Sequence, residues 1–235
     1  MSAATGVVVI TGANRGLGLD LARAYVADGH AVVAGCRRPA DASDLVASGA
    51  EVRELDIGDS ASIASFAAAV GDRPVAVLVN NAGIDARALG VADGARDAMQ
   101  LDGDAFLDVM RVNTVGPMLL TRALAPNLKA AVGTVVNISS QVGSMEVGRT
   151  MGRDVSYVAS KAALNMVTLK FAQLLTPAGV TVVSMHPGWL RTEMGGSSAT
   201  LDPADAAKQI VATIAGLTVD RSPAFVQWDG TDHPW

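Results

Sequence analysis

Short apolar runs rich in β-branched residues recur along the chain: Val7-Val8-Val9-Ile10, Ala31-Val32-Val33-Ala34, Val75-Ala76-Val77-Leu78-Val79, Thr134-Val135-Val136-Asn137-Ile138 and Val180-Thr181-Val182-Val183-Ser184. They lack the polar alternation of a half-exposed strand, which predicts strands covered on both faces. Between them lie Ala- and Leu-rich stretches predicted as helices over 18–27, 60–70, 113–131, 157–175 and 203–217. Alternation sustained over the whole length predicts one doubly wound α/β domain. Asp202-Pro203 offers a capping carboxylate and a first-turn proline, so a helix starts there, and Pro177 and Gly179 end the preceding one. No linker, charge run or internal repeat divides the chain. Residues 189–200, with Gly195-Gly196-Ser197-Ser198, are predicted to form a mobile lid.

Composition narrows the class. The chain has 235 residues, 50% hydrophobic and 17% charged, enough for a sizeable core and far from the composition of disordered or collagenous chains. Cys36 is the single cysteine. An intrachain disulfide and a cysteine-rich zinc site are therefore excluded, no metal is expected, and a reducing compartment follows. A net charge of −5 argues against nucleic acid as a partner. No apolar stretch reaches a membrane span, and no basic n-region precedes Gly6. The expectation is a cytoplasmic protein with neither membrane nor nucleic acid as partner.

The first strand runs into Thr11-Gly12-Ala13-Asn14-Arg15-Gly16-Leu17-Gly18 and then a helix. Missing side chains at Gly12, Gly16 and Gly18 let the backbone approach a pyrophosphate, whose charge the helix N-terminus holds. A plain strand-to-helix corner uses the same residues. About 20 residues on, a site for NAD places a carboxylate on the ribose hydroxyls; this chain reads Cys36-Arg37-Arg38 there. Guanidinium groups fork onto a 2′-phosphate that a carboxylate would repel, so NADP(H) is expected over NAD(H), with Arg37 and Arg15 converging on that phosphate. Asp56, beside Ile57, is placed to accept from the adenine amino group. In Asn80-Asn81-Ala82-Gly83 the small residues admit a cofactor, and the amides serve either the ribose or neighbouring strands.

Tyr157 and Lys161 are four residues apart at the start of a helix, hence on one face. An ammonium beside a phenol favours the phenolate and makes the phenol a better proton donor to a carbonyl oxygen. A surface tyrosine packed over a lysine stem has the same spacing, so the pair gains meaning from its company. Ser140 closes the run Thr134 to Ile138 at the edge where ligands collect in such sheets, and Asn113 offers an amide to a water near Lys161.

Taken together, Thr11 to Gly18, Asp56, Asn80 to Gly83, Asn113, Ser140, Tyr157 and Lys161 stand in the order of the short-chain dehydrogenase/reductase family, which the chain resembles over essentially its whole length. The resemblance implies a single Rossmann-fold domain over 1–235: a mostly parallel seven-stranded sheet with helices on both faces. It implies Tyr157 as general acid/base and Lys161 as its pKa modulator and a ribose ligand. Ser140, which begins the S-x-x-G stretch Ser140-Gln141-Val142-Gly143, positions the substrate, Ser139 is structural, and Asn113 supports a relay water. Pro187, Gly188, Leu190 and Thr192 resemble the family's segment around the nicotinamide carboxamide. Met194-Gly195-Gly196 and the ending Trp228-Asp229-Gly230-Thr231-Asp232-His233-Pro234-Trp235 resemble the carbonyl-reductase-like branch of C-factor and Sniffer proteins.

The interval from Ser140 to Tyr157 is longer than the family's usual spacing. The extra residues, Met145 to Asp154, include Glu146, Arg149, Met151 and Arg153 and overhang the expected substrate site. His186 reads as positional, Cys36 as a packed small side chain, and Met145, Met151, Met194 and Trp189 as lining an adaptable pocket or as ordinary packing. The functional expectation is an NADPH-dependent reductase of a ketone or aldehyde. Its rivals are an NADP(H)-binding regulator without turnover and the same site run as an alcohol dehydrogenase. Association as a homodimer or homotetramer through helices 113–131 and 157–175 is expected, with a monomer as the alternative.

Overall fold

Seven strands carry the β-branched runs: β1 (Val7–Thr11), β2 (Val32–Cys36), β3 (Glu51–Glu54), β4 (Val75–Asn80), β5 (Thr134–Ile138), β6 (Thr181–His186) and β7 (Ala224–Gln227). They form one sheet in the order β3-β2-β1-β4-β5-β6-β7, with every neighbouring pair parallel. The sheet expected as mostly parallel is thus wholly so. The computed structural model describes residues 6–152 and 154–235; Arg153 lies outside them.

The side-chain period of two divides the inner strands between two cores. Val8, Ile10, Val136, Val183 and Met185 face the helices α1 (Gly16–Ala27) and α8 (Pro203–Ala215). Val9, Val135 and Val182 face α3 (Ser60–Val70), α5 (Gly116–Ala123), α6 (Ala125–Ala131) and α7 (Val155–Leu175). Strands buried on both sides cannot show polar alternation, which explains the unbroken apolar runs. Edge strand β3 is the exception. Its exposed Arg53 and Glu54 and the Glu51–Arg73 ion pair put charge on a free edge.

Between them, α2 (Ser43–Ala47) leads into β3, and α4 (Gly103–Met110) precedes the helical stretch expected over 113–131. Asp102 caps α4 by accepting from the backbone of Asp104 and Ala105. The chain then passes through a π turn, Arg111–Val115, into α5, and breaks at Leu124 before α6. An isolated π turn widens a helix by one residue per turn and is a frequent mark of a functional site.

The order of the strands reverses between β1 and β4, each of which is followed in sequence by a crossover to a different side. The crevice beyond their carboxyl ends is where such sheets bind ligands. Residues 189–200 contain neither helix nor strand but are tied down: Leu190 pairs with Leu201, and the Arg191 guanidinium donates to the Ala199 and Thr200 carbonyls.

Candidate active site

The glycine turn fills one side of this crevice. Gly12 has φ +63°, and a Cβ there would sit 2.8 Å from Ala82 Cα. A Cβ on Gly18 would overlap the Gly12 carbonyl oxygen. The Thr11 hydroxyl accepts from the backbone of Asn81 at 3.0 Å and Ala82 at 2.9 Å, while Asn81 Nδ2 donates to the Thr11 and Gly12 carbonyls. Of the two roles open to its amide, Asn81 takes the structural one and clamps the turn in shape. No side chain caps α1, and its first turn carries no acid, leaving its terminal N–H groups and positive dipole end available to an anion. Leu17 is buried beneath this turn and Asn14 is exposed above it.

Three further groups bear on the nature of that anion. Arg37 is exposed and makes no ion pair among the described residues, whereas Arg38 pairs with Asp41. Arg15, expected to reach the same phosphate, is ion-paired instead with Glu193, so residues 189–200 fasten onto the glycine turn. Thr192 lies in the same place, its methyl 3.4 Å from where a Gly16 Cβ would stand. Asp56 is exposed and accepts from Gly58 N at 2.9 Å, with buried Ile57 next to it against Gly116. A cradle of glycines, an uncapped helix end and an unpaired arginine fit a dinucleotide carrying an extra phosphate.

Asn80 does not belong to this set. Its side chain is buried, with Nδ2 donating to Asn137 Oδ1 at 2.8 Å and Thr121 Oγ1 at 3.0 Å. Asn137 in turn donates to Thr168, which bonds Ser184. These residues form a polar ladder across β4, β5 and β6 inside the sheet, out of reach of a ligand in the crevice. The Asn80 side-chain amide, expected at the cofactor, is spent on this ladder, whereas Asn81 and Gly83 lie beyond the strand end.

On the other side stand the groups expected to carry chemistry. Asp154 caps α7 and so fixes the first turn from which Tyr157 projects. The Ser140 hydroxyl accepts from Val142 N at 3.4 Å and acts on the phenol from close by, and Lys161 Nζ lies 5.6 Å from the phenol ring centre. Lys161 is 3% exposed, and its ammonium donates to the Ile138 carbonyl at 2.8 Å. An ammonium has three protons to donate, and Nζ borders Gly83, at 3.5 Å from the position of a Cβ there. Burial pushes the Lys161 pKa down to about 8. For Tyr157, burial first, and then the carboxylates of Asp85 and Asp154, push the phenol up to about 12, against a smaller downward pull from the Ser140 hydroxyl. The net shift runs upward, opposite to the one expected from Lys161, because burial and two carboxylates favour the neutral phenol.

Asn113 lies at the centre of the π turn, wholly buried. Its Oδ1 accepts from Ile84 N and its Nδ2 donates to Ile84 O, each at 2.8 Å, and to Ser160 Oγ at 2.9 Å. Both amide protons are thus spent on the protein, and the side chain ties the exit of β4 to α7 rather than offering an N–H to water. Pro117, four residues on, has no N–H to give the Asn113 carbonyl an α-helical bond. Ser139 donates to Asn165 Oδ1 inside the fold at 2.7 Å, and Gly143 packs directly on the Lys161 backbone. Of the nicotinamide-side residues, Gly188 has φ +84° and packs on Leu201 and Trp228 beside Pro187, and Leu190 is buried.

A model of the short chain dehydrogenase family matches residues 6–201. The chain belongs to that family. As a short chain dehydrogenase it is 37% identical over 174 residues to the C-signal of Myxococcus xanthus, covering 73% of this chain and 99% of that one. The carbonyl reductase Sniffer of D. melanogaster superposes with a TM-score of 0.89 at 33% identity, covering 98% of this chain and all 100% of Sniffer. An NADPH-bound carbonyl reductase from chicken fatty liver gives 0.88 at 30% identity, covering 99% and 100%. The family members are oxidoreductases, and the chain is placed among carbonyl-reductase relatives. Sequence reasoning passed over Asp85 and Glu193. Asp85 acts on Tyr157 and Glu193 pairs with Arg15, each from a distant part of the chain, which spacing along the chain does not reveal.

Proposed function

We propose that this short chain dehydrogenase is an NADPH-dependent reductase of ketones or aldehydes, with Tyr157 as general acid. The observation that carries this reading is the grouping of Tyr157, in the first turn of α7, with the Lys161 ammonium 5.6 Å from its ring centre and with Ser140 just beyond β5. NADPH, when bound, supplies the hydride. Gly12, Gly16, Gly18 and the uncapped start of α1 hold its pyrophosphate; Arg37 holds its 2′-phosphate. Lys161 gives its remaining ammonium protons to the ribose, and the segment from Pro187 to Thr192 faces the nicotinamide. Ser140 and Tyr157 orient the carbonyl oxygen by hydrogen bonds, and Tyr157 releases its proton to that oxygen as negative charge develops there. The NADP-class phosphate site is supported by the NADPH-bound relative and by the absence of a carboxylate at Arg37.

A screen of NADPH oxidation over ketones, aldehydes, diketones and quinones tests this. Tyr157→Phe is expected to lower turnover by about 10²–10⁴-fold while cofactor binding is kept; substantial residual activity would remove Tyr157 from its role. Arg37→Ala is expected to weaken NADPH about 10–100-fold, the loss of a charge-assisted bond, with NADH affinity unchanged. Equal affinity for both cofactors in the unmodified protein would contradict the reading. The likeness to C-signal favours, as a second reading, NADPH binding whose output is a protein contact. Binding with no turnover across the whole screen decides for it.

A further inference from the structure

The extra residues between Ser140 and Tyr157 end at Asp154, and this carboxylate makes contacts that nothing in the site chemistry requires. Its Oδ1 accepts from Tyr157 N at 3.1 Å and from the Ser156 hydroxyl at 2.5 Å. Its Oδ2 accepts from Ala86 N at 2.8 Å, 68 positions away. The next residue, Val155, donates its N–H to the Arg96 carbonyl at 3.0 Å. A helix cap needs the first oxygen alone. The second oxygen and the Val155 bond tie α7 to residues 81–102, the long irregular connection between β4 and α4.

That connection is gripped from a second side. Asn113 holds Ile84 through both its N–H and its carbonyl, and reaches α7 through Ser160, whose hydroxyl donates back to the Tyr157 carbonyl. Ile84 and Ala86 are thus fixed by two different elements, and both ties end on the turn of α7 that carries the phenol. Asp85 lies between them. It pairs with Arg87 at 3.1 Å and with the buried guanidinium of Arg96 at 3.9 Å, and its side chain is 13% exposed.

We propose that Asp154 is a positioning residue for Tyr157: one carboxylate caps the helix bearing the phenol and fastens residues 81–102 to it, so that this connection forms a fixed wall of the site. Calling Tyr157 the proton donor rests on the reductase reading; the clamp itself does not. The charged groups facing the phenol are Asp85 from the connection, Asp154 at the start of its own helix and Lys161 one turn on, with Arg87 and Arg96 paired to Asp85 from behind. The same carboxylate that places the phenol thereby also keeps its proton on it.

The test needs neither substrate nor cofactor. The chain has two tyrosines, and the hydroxyl of buried Tyr25 has no hydrogen-bond partner among the described residues, so Tyr25→Phe leaves Tyr157 as the one phenolate signal in the near ultraviolet. In that background Asp154→Asn and Asp154→Ser both keep a capping oxygen but lose the charge and the acceptor for Ala86. Each is expected to lower the Tyr157 ionisation midpoint and to speed hydrogen exchange of amides in 81–102 at least about tenfold. If Asp154 is only a cap, both variants leave the exchange of 81–102 as it was, and the proposal is overturned. Should one variant fail to fold, the other carries the same two readouts. A wild-type protein that reduces no carbonyl but shows both shifts keeps the clamp and removes the reductase reading.

Discussion

Lys161 sits where burial and function oppose each other. In an unfolded chain its ammonium titrates at the ordinary 10.5, but in the fold burial brings it down to about 8. Between these values the unfolded chain binds more protons, so this group's contribution to stability rises with pH across that window. The charge that would hold the ribose disappears over the same range. Cofactor affinity is therefore expected to fall by about tenfold between pH 7 and pH 9, while thermal stability does not fall with it; isothermal titration and thermal melts over that range check both. The Tyr157–Lys161 spacing was legible in the sequence because it is local, one turn of one helix. The direction of the Tyr157 shift was not, since it comes first from burial in the assembled fold and then from Asp85, on a connection outside α7.

At the scale of elements, the hydrophobic runs named the inner strands and the helical stretch before β5 correctly, but missed α4 and the break at Leu124. The sequence signal for α4 is the capping Asp102; the apolar stretch after Asn113 drew attention away from it. Asn80 and Asn137 show the same limit. A polar residue at the end of an apolar run reads as ligand-facing, but the register that places Asn80 opposite Asn137 turns the pair into an internal ladder. Asn137→Ala is expected to cost about 1–3 kcal/mol, the desolvation of donors and acceptors left without partners in the sheet. Cofactor affinity of the folded fraction should not change. Urea unfolding and fluorescence titration measure the two separately, and a large loss of affinity at unchanged stability would put the ladder back in the site.

Across the whole molecule, β6 and β7 meet the last residues of the described chain through an aromatic cluster. His186 at the end of β6 stands edge-on to His233 at 5.8 Å, and His233 lies 4.4 Å from Phe225 on β7. Burial, then the neighbouring His233, hold the His186 pKa at about 4, below its ordinary 6.5. From pH 6.5 down to 4 the unfolded chain takes up the proton that the fold resists, so stability falls as pH falls through that window, by up to roughly 3 kcal/mol. His186→Gln is expected to flatten the melting temperature against pH between 4 and 6.5. An unchanged slope would show that the acid sensitivity resides elsewhere. The Trp235 carbonyl accepts from Ser144 and Met145, so this cluster also borders the loop that follows Ser140.

The sequence by itself determined the class of fold, the glycine turn, the preference for arginine over a carboxylate beyond β2, and the Tyr157–Lys161 pair. Each rests on period, local spacing or the chemistry of one residue type. Tertiary structure decided which polar side chains are spent on one another: inside the fold, Asn80 to Asn137, Asn113 to Ile84 and Ser160, and Asp154 to Ala86; at the surface, Arg15 to Glu193. A hydrogen bond needs its two atoms within about 3 Å, and chain distance carries no record of that approach until the sheet has assembled.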